Sequence, residues 1–369
     1  MTSAPKSDHR RPGRDQSRRP SARRHLLGRG RVRPPVAFVS WGTIAGRSAE
    51  IAEALGGRAY TIFPLAEGKR LHATVRYVIG TVLTLAYLVR EDPSAVVTTN
   101  PPVILGLIAL GWARLRGIPF ALDSHPGAFG RHGDRVSARL LPLHRFVARR
   151  ASVTLVTADA WVETVHDWGG RGLVVHEAPG HWGSMKPQTR RAASRPQVLF
   201  VSRFSRDEPV EEAVAAAALV PEIDMLVTGR LEDLSADLAA QAPPNVSFVG
   251  FLPPERYEAL VAATDLLVAL TTEPTSVMRC AYEAVYARKP LLLSDWPICR
   301  ELFPFAVAVS NDAESIAKGL KHAVEVLPEL AERADEALEL QTSRWQAQLT
   351  ALVTALALPQ PETEPRHEL

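Results

Sequence analysis

The sequence predicts an α/β protein made of two βαβ domains that face each other across a cleft. Three observations carry this. Twelve short apolar runs alternate with helix-length segments, the alternation breaks once near the middle, and 369 residues at 46% hydrophobic can build two sizeable cores.

The first six runs are VAFVS (36–40), AYTIF (59–63), AVVTT (95–99), PFALD (119–123), VTLVT (153–157) and GLVVH (172–176). Helical patterns lie between them, at 46–56, 70–90, 101–116 and 135–150. The strands read as continuous apolar runs, as a parallel sheet covered on both faces requires. The break is EAPGHWGSMKPQTRRAASRP (177–196), rich in Pro, Gly, Ser and charge. The alternation restarts with QVLFVS (197–202), IDMLVTG (223–229), NVSFVG (245–250), DLLVAL (265–270), PLLLSD (290–295) and AVAVS (306–310). Helices are expected at 209–219, 254–263, 275–287 and 313–326, with a long helical region at 328–357. The organisation is therefore a basic tail (1–34), a first domain (35–180), a linker (181–196), a second domain (197–345) and a C-terminal helix and tail (346–369).

Charge is uneven. Residues 1–33 hold eleven Lys or Arg against Asp8 and Asp15, a net +9; with the whole chain at +3, the rest carries −6. The tail has too few apolar residues to bury surface and is expected to be disordered, a solvated extension able to touch anionic lipid or nucleic acid. No apolar segment follows its arginines, so it does not read as a secretory signal. Specific nucleic-acid binding is not expected, and salt-sensitive binding lost with residues 1–33 would reveal it. Two scattered cysteines, Cys280 and Cys299, give neither a disulfide framework nor metal spacing, which suggests a reducing cytoplasm. The longest apolar stretches, Tyr77–Val89 and Pro101–Ala113, are too short to span a bilayer and read as core helices, although Arg76–Asp92 could lie on a membrane.

Strand-to-helix junctions point at the cleft, where open α/β sheets bind ligands. The first, SWGTIAGRS (40–48), has Gly42 and Gly46 for close approach and opens a helix, but it is not GxGxxG. The fourth, LDSHPGAFG (122–130), places His125 beside Gly127, with Asp123 two residues earlier. In the second half, Arg203 and Arg206 follow a strand directly and could meet a diphosphate; Gly229 and Arg230 follow the next. The loop TTEPTSVMR (271–279) precedes a helix that Thr275 or Ser276 would cap, and its first N–H groups would form an anion site. Glu283, flanked by apolar residues and expected two turns into that helix, needs a partner; a nucleotide ribose is the expected one.

These residues resemble the GT-B glycosyltransferases, with two Rossmann-like domains, over roughly 36–357. FVSRFSRDEPVEEAVAAAALV, LVTGR, VSFVGFLPPERYEALVAATDLLVAL and YEAVYARKPLLLSD are similar to the C-terminal domain of glycosyltransferase family 4. GRS (46–48), NPP (100–102) and DSH (123–125) followed by Gly127 resemble the chitobiosyldiphospholipid β-mannosyltransferases. The sequence departs from family 4 at three places. Glu208 stands where a Lys is usual, Thr275 where the first of two Glu residues eight apart is usual, and Arg288 where a Gly is usual.

The resemblance implies transfer of a hexose from a nucleotide-diphosphate sugar, such as a GDP- or UDP-sugar, to an acceptor hydroxyl, with no cofactor. The acceptor would be a glycan or a lipid-linked glycan in cell-surface polysaccharide or glycolipid synthesis, at the cytoplasmic membrane face, with peripheral membrane contact. The donor would meet Arg203, Arg206, Gly229, Arg230, Thr275, Ser276, Arg279 and Glu283. His125 would act as base or bond the donor sugar. Gly42, Gly46, Arg47 and Ser48 would lie at the acceptor or diphosphate side. No Asp-x-Asp pair is present, so no bridging metal is expected. The alternatives are a nucleotide-sugar 2-epimerase of the same fold and a catalytically silent sugar-nucleotide-binding subunit.

Overall fold

A computed structural model describes residues 35–42, 46–62, 73–130, 135–184 and 195–359. The basic tail, Thr43–Ala45 and most of the linker lie outside the described residues.

All twelve expected strands form, in two six-stranded parallel sheets. The first contains β1 (Val36–Ser40), β2 (Arg58–Thr61), β3 (Ala95–Asn100), β4 (Phe120–Ser124), β5 (Val153–Val156) and β6 (Gly172–Val174), in the order β2-β1-β3-β4-β5-β6. The second contains β7 (Gln197–Phe200), β8 (Asp224–Thr228), β9 (Val246–Gly250), β10 (Leu266–Ala269), β11 (Leu291–Ser294) and β12 (Val307–Val309), in the order β12-β11-β10-β7-β8-β9. β1, β4, β5, β10 and β11 are buried along their whole length, because helices cover both faces. The strand order reverses between β1 and β3, and again between β7 and β10. At such points the connections diverge and leave a crevice.

Helices α1 (Gly46–Ala54), α2 (Ala73–Glu91) and α3 (Val103–Arg116) form near their expected ranges. The expected 135–150 helix is broken into α4 (Arg135–Arg139) and α5 (Leu141–Ala148), since Pro142 has no N–H to continue a ladder and sits in the first turn of α5. α6 (Asp159–Asp167) completes the first half. In the second half α7 (Val210–Ala218), α8 (Ala236–Gln241), α9 (Pro254–Ala263), α10 (Arg279–Tyr286), α11 (Pro297–Leu302) and α12 (Ala313–Glu325) alternate with the strands.

The C-terminal helical region is divided at Arg333 into α13 (Leu327–Glu332) and α14 (Ala334–Ala355). α14 joins the two halves. Its first turns, at Ala337 and Leu338, pack on the core of the second half. Further on, Trp345, Leu349, Leu352 and Val353, with Leu356 just beyond the helix, enter the core around Val36, Phe38 and Val153 in the first half. The helix runs unbroken past residue 345, where a domain boundary was expected, because one face of the first sheet needs it as a cover.

The Tyr77–Val89 stretch departs from its reading as a core helix. Thr84, Tyr87 and Leu88 are buried, but Val78, Val82 and Val89 stand in solvent. Among the described residues no helix is long and apolar enough to cross a membrane.

Candidate active site

A pocket of about 400 Å³ opens between the halves. Pro126 and Gly127, just past β4, line one side; Arg206, Asp207, Glu273 and Ser276, past β7 and β10, line the other. Its floor is tied at the second switch point. The Thr272 N–H donates to the Asp207 carbonyl at 2.7 Å, so the loops after β7 and β10 are held together. A crevice of this size with converging polar groups is the expected shape of a small-ligand site.

His125 stands beside Pro126, its side chain 41% exposed. Its backbone N–H donates to the Asn100 carbonyl at 2.9 Å. Behind it lies a buried relay that the sequence reading missed. His144 Nδ1 faces the Ala128 carbonyl at 3.1 Å and so carries the proton. Its Nε2 then accepts from Ser124 Oγ at 2.9 Å, and Ser124 Oγ accepts from Asn100 Nδ2 at 3.2 Å. Burial drives the His144 pKa down to about 4, so the ring stays neutral and the relay keeps one orientation. Asn100 of the NPP stretch thus positions the His125 backbone, and His144 anchors Asn100 through Ser124.

Arg47 does not reach the pocket. It is buried and clamps Asp123, with Nε at 3.2 Å from Oδ2 and Nη2 at 3.1 Å from Oδ1. It also donates to the carbonyls of Val175 and His176 and to Glu177 Oε1. Burial alone would raise the Asp123 carboxyl; the Arg47 guanidinium, with His125, outweighs it and holds the group far below its usual range. The GRS and DSH stretches therefore meet each other, and Asp123 in turn lies 3.4 Å from His125 Nε2. Ser48 is buried in α1, and Gly42 is partly exposed at the end of the described stretch after β1.

Glu283 has partners inside the protein as well, which the sequence reading did not foresee. Tyr257 donates to its Oε2 at 2.6 Å and Arg279 Nε to its Oε1 at 2.8 Å. Each oxygen keeps one lone pair, so the carboxylate is oriented but can still accept. Arg279 was expected at the diphosphate. It bridges the halves instead, donating to Glu50 Oε1 of α1 at 2.6 Å and lying 3.5 Å from Glu177 Oε2. Gly46 leaves room for that bridge: a Cβ there would lie 2.5 Å from Arg279 Nη1, and the guanidinium would have to shift. Burial raises the Glu50 pKa despite Arg279, and Glu177 adds to the rise. Glu50, Glu177 and Tyr257 were missed because their spacing in sequence gives no sign of convergence.

The start of α10 is also corrected. The helix begins at Arg279 with Met278 as its N-cap and no side-chain cap bond, so Thr275 and Ser276 precede it and Glu283 sits one turn in, not two. Ser276 faces the pocket; Thr275 is partly exposed beside it. At the other end Arg288 adopts φ +53°, the left-handed conformation that the glycine of the resemblance would supply freely.

The loop after β7 is organised by Glu208. Its buried Oε2 accepts from Ser202 Oγ at 2.8 Å and from the backbone N–H groups of Arg203 at 2.9 Å and Ser205 at 3.1 Å. A carboxylate thus holds donors that could otherwise meet a phosphate, while the Arg203 and Arg206 side chains stay exposed. Gly229 makes room for this loop: a Cβ would lie 2.5 Å from the Phe204 ring, which packs over it. Arg230 pairs with Asp233 at 2.9 Å on the surface. Cys280 and Cys299 are free and buried.

Residues 8–180 match the glycosyl transferase 4-like domain, and residues 184–340 match glycosyl transferases group 1. Comparison with curated proteins found no match. Among solved structures, the fold is similar to a sucrose-phosphate synthase from Thermosynechococcus elongatus, at TM-score 0.66 and 16% identity, covering 87% of this chain and 98% of that one. It is also similar to Anabaena HepE in complex with UDP and glucose, at TM-score 0.66 and 15% identity, covering 88% and 99%. Staphylococcus aureus MnaA with UDP gives TM-score 0.60 at 11% identity, covering 89% and 99%. At these identities the likeness concerns the fold.

Proposed function

We propose that this chain is a two-domain glycosyltransferase of the GT-B type, which moves a hexose from a nucleotide-diphosphate sugar to an acceptor hydroxyl in cell-surface polysaccharide or glycolipid synthesis; the matches of residues 8–180 and 184–340 support the reading. The observation that carries the reading is the pocket between Pro126 and Gly127 on one side and Arg206 and Ser276 on the other, at the second switch point. The nucleotide lies over the second sheet, with Glu283 held by Tyr257 and Arg279 to accept from ribose hydroxyls. UDP bound to HepE and to MnaA supports a nucleoside diphosphate as the ligand class.

Departure of the diphosphate develops negative charge, which the exposed Arg206 and Arg203 stabilise. Arginines take the place of a bridging metal, as the chain has no Asp-x-Asp pair. His125 enters from the opposite wall on a backbone that Asn100 fixes. It either takes the acceptor proton or bonds the donor sugar, and Asp123 at 3.4 Å orients its ring. The acceptor approaches over the first half, from the cytoplasmic membrane face.

A second reading, a silent sugar-nucleotide-binding subunit, is favoured by one observation: Glu208 already holds the N–H groups of Arg203 and Ser205. A thermal-shift screen with GDP, UDP, dTDP, ADP and their sugar conjugates tests both. A ligand near a hundred times its dissociation constant adds about 2.7 kcal/mol of stability. One nucleotide that stabilises the protein but not its Glu283→Ala variant supports a donor site, and no stabilisation by any of them sinks it. If His125→Ala keeps the shift and loses sugar transfer, the chain is the transferase; if no transfer occurs even in the unsubstituted protein, it is the binding subunit.

A further inference from the structure

We propose that Glu177 is a positioning residue that couples the nucleotide side of the cleft to His125, through the ion-pair chain Glu283–Arg279–Glu177–Arg47–Asp123. The proposal rests on the reading above for Glu283 meeting the nucleotide and for His125 meeting the donor sugar or the acceptor.

The chain is continuous from one half to the other. Arg279 Nε donates to Glu283 Oε1 at 2.8 Å, and Arg279 Nη1 lies 3.5 Å from Glu177 Oε2. Glu177 Oε1 accepts from Arg47 Nη1 at 3.1 Å. Arg47 holds both oxygens of Asp123, and Asp123 Oδ2 lies 3.4 Å from His125 Nε2. The charges alternate in sign along the whole path. Arg47 and Asp123 are buried, and the Glu177 side chain is only 15% exposed, so water and salt screen these pairs little.

Glu177 is the joint between the two walls. It follows β6, at the end of the first half, and its backbone carbonyl accepts from Tyr286 Oη of α10 at 2.9 Å. α10 therefore meets Glu177 at two points, Arg279 and Tyr286, and the same helix carries Glu283. A displacement of α10 that follows ligand contact at Glu283 passes to the Glu177 carboxylate and from there to Arg47. Arg47 cannot absorb it alone, because Asp123 Oδ2 is shared between Arg47 Nε at 3.2 Å and His125. A second strand runs beside the first. Arg279 Nη2 donates to Glu50 Oε1, and Glu50 stands three residues after Arg47 on α1, on the same helix face.

One link is loose. Arg279 serves three carboxylates, and the buried Oε2 atoms of Glu50 and Glu177 have no hydrogen-bond partner among the described residues. At 3.5 Å the Arg279–Glu177 contact is an ion pair and not a hydrogen bond, whereas a charge-assisted N–H···O bond closes at about 2.8 Å. Buried carboxylate oxygens are seldom left unpaired, so a small approach of Arg279 gains a bond. Arg279 with and without that bond gives the two arrangements that coupling between distant sites requires.

The test is NMR of the full chain with 15N-labelled histidine, before and after saturating UDP or GDP. His125→Ala identifies the His125 ring signals, and a thermal shift verifies nucleotide binding in each variant. Nucleotide is expected to displace the His125 signals in the unsubstituted protein. In Glu177→Gln the nucleotide should still bind, while the displacement falls at least about fivefold. Arg279→Lys keeps the charge but cannot hold three carboxylates at once, and the same loss is expected. Arg279 is 36% exposed, so this variant decides the question if circular dichroism shows Glu177→Gln to be unfolded. An equal displacement in both variants would overturn the proposal, since the nucleotide would then reach His125 directly and Glu177 would be structural only. Unmoved His125 signals in the unsubstituted protein with nucleotide bound would overturn it too. No thermal shift with either nucleotide would sink the donor reading, and the coupling with it.

Discussion

The two walls of the cleft treat their arginines differently. In the first half Arg47 is buried and fully engaged, with Asp123, Glu177 and two carbonyls. In the second half Arg203 and Arg206 follow a strand in a comparable position, yet their guanidinium groups stand in solvent and Glu208 orders the loop in their place. The same residue type after a strand thus makes architecture on one side and an exposed cationic surface on the other, with Arg206 at the pocket. What separates them is whether a carboxylate is within reach in the folded core. Asp123 meets Arg47, whereas Glu208 faces backbone N–H groups.

The largest expected effect breaks the first wall. Arg47→Ala leaves Asp123 buried without its cation, and a stability loss of about 3–5 kcal/mol is expected in urea unfolding. A loss below about 1 kcal/mol would mean that the Arg47 clamp is not structural.

The next effect sharpens the contrast through pH. His144 and His176, both in the first half, are buried with pKa values lowered from 6.5 to about 4. Burial is the first cause in each, and Arg47 and Arg344 add to it at His176. The unfolded chain therefore takes up protons before the folded one, and stability falls as pH drops from 6.5 towards 4. Each histidine contributes on the order of 3 kcal/mol across that window. Unfolding midpoints measured at pH 8, 6.5, 5 and 4 check this; His144→Gln should flatten the curve, and an unchanged slope would refute the assignment.

A smaller effect is expected at Glu208. Glu208→Ala leaves the N–H groups of Arg203 and Ser205 without their acceptor and should cost about 1–3 kcal/mol. If nucleotide binding tightens in this variant, the carboxylate competes with the diphosphate; if it weakens, the loop shape matters more than the freed donors. The smallest stability change, within about 0.5 kcal/mol, is expected for Arg206→Ala, because the side chain is exposed. That variant should nevertheless lose most of the nucleotide-induced thermal shift, and a full shift would place the diphosphate elsewhere.

The fold was legible because its signals are local. Short continuous apolar runs such as Val36–Ser40 and Leu291–Ser294 fit strands covered on both faces, and their alternation with helix-length segments favours parallel sheets. Boundaries were less legible where a single residue decides them, as Pro142 does between α4 and α5. The site was legible in part. Junction position brought Arg206 and Ser276 to the pocket, and His125 beside it. It gave no hint that Glu50, Glu177 and Glu283 would meet around Arg279, since those contacts span up to 229 residues.

By itself the sequence determined the two parallel sheets, the cleft between them and the glycine-rich and cationic character of the loops that border it, since these follow from periodicity and from which strand ends face the crevice. Only the tertiary structure decided which charges are consumed inside the protein and which stay exposed at the pocket. Desolvation forces a buried cation such as Arg47 to find a carboxylate, and the fold alone determines which carboxylate is near. The tertiary structure likewise decided that α14 covers one face of the first sheet, while the outer face of α2 keeps its apolar stripe exposed.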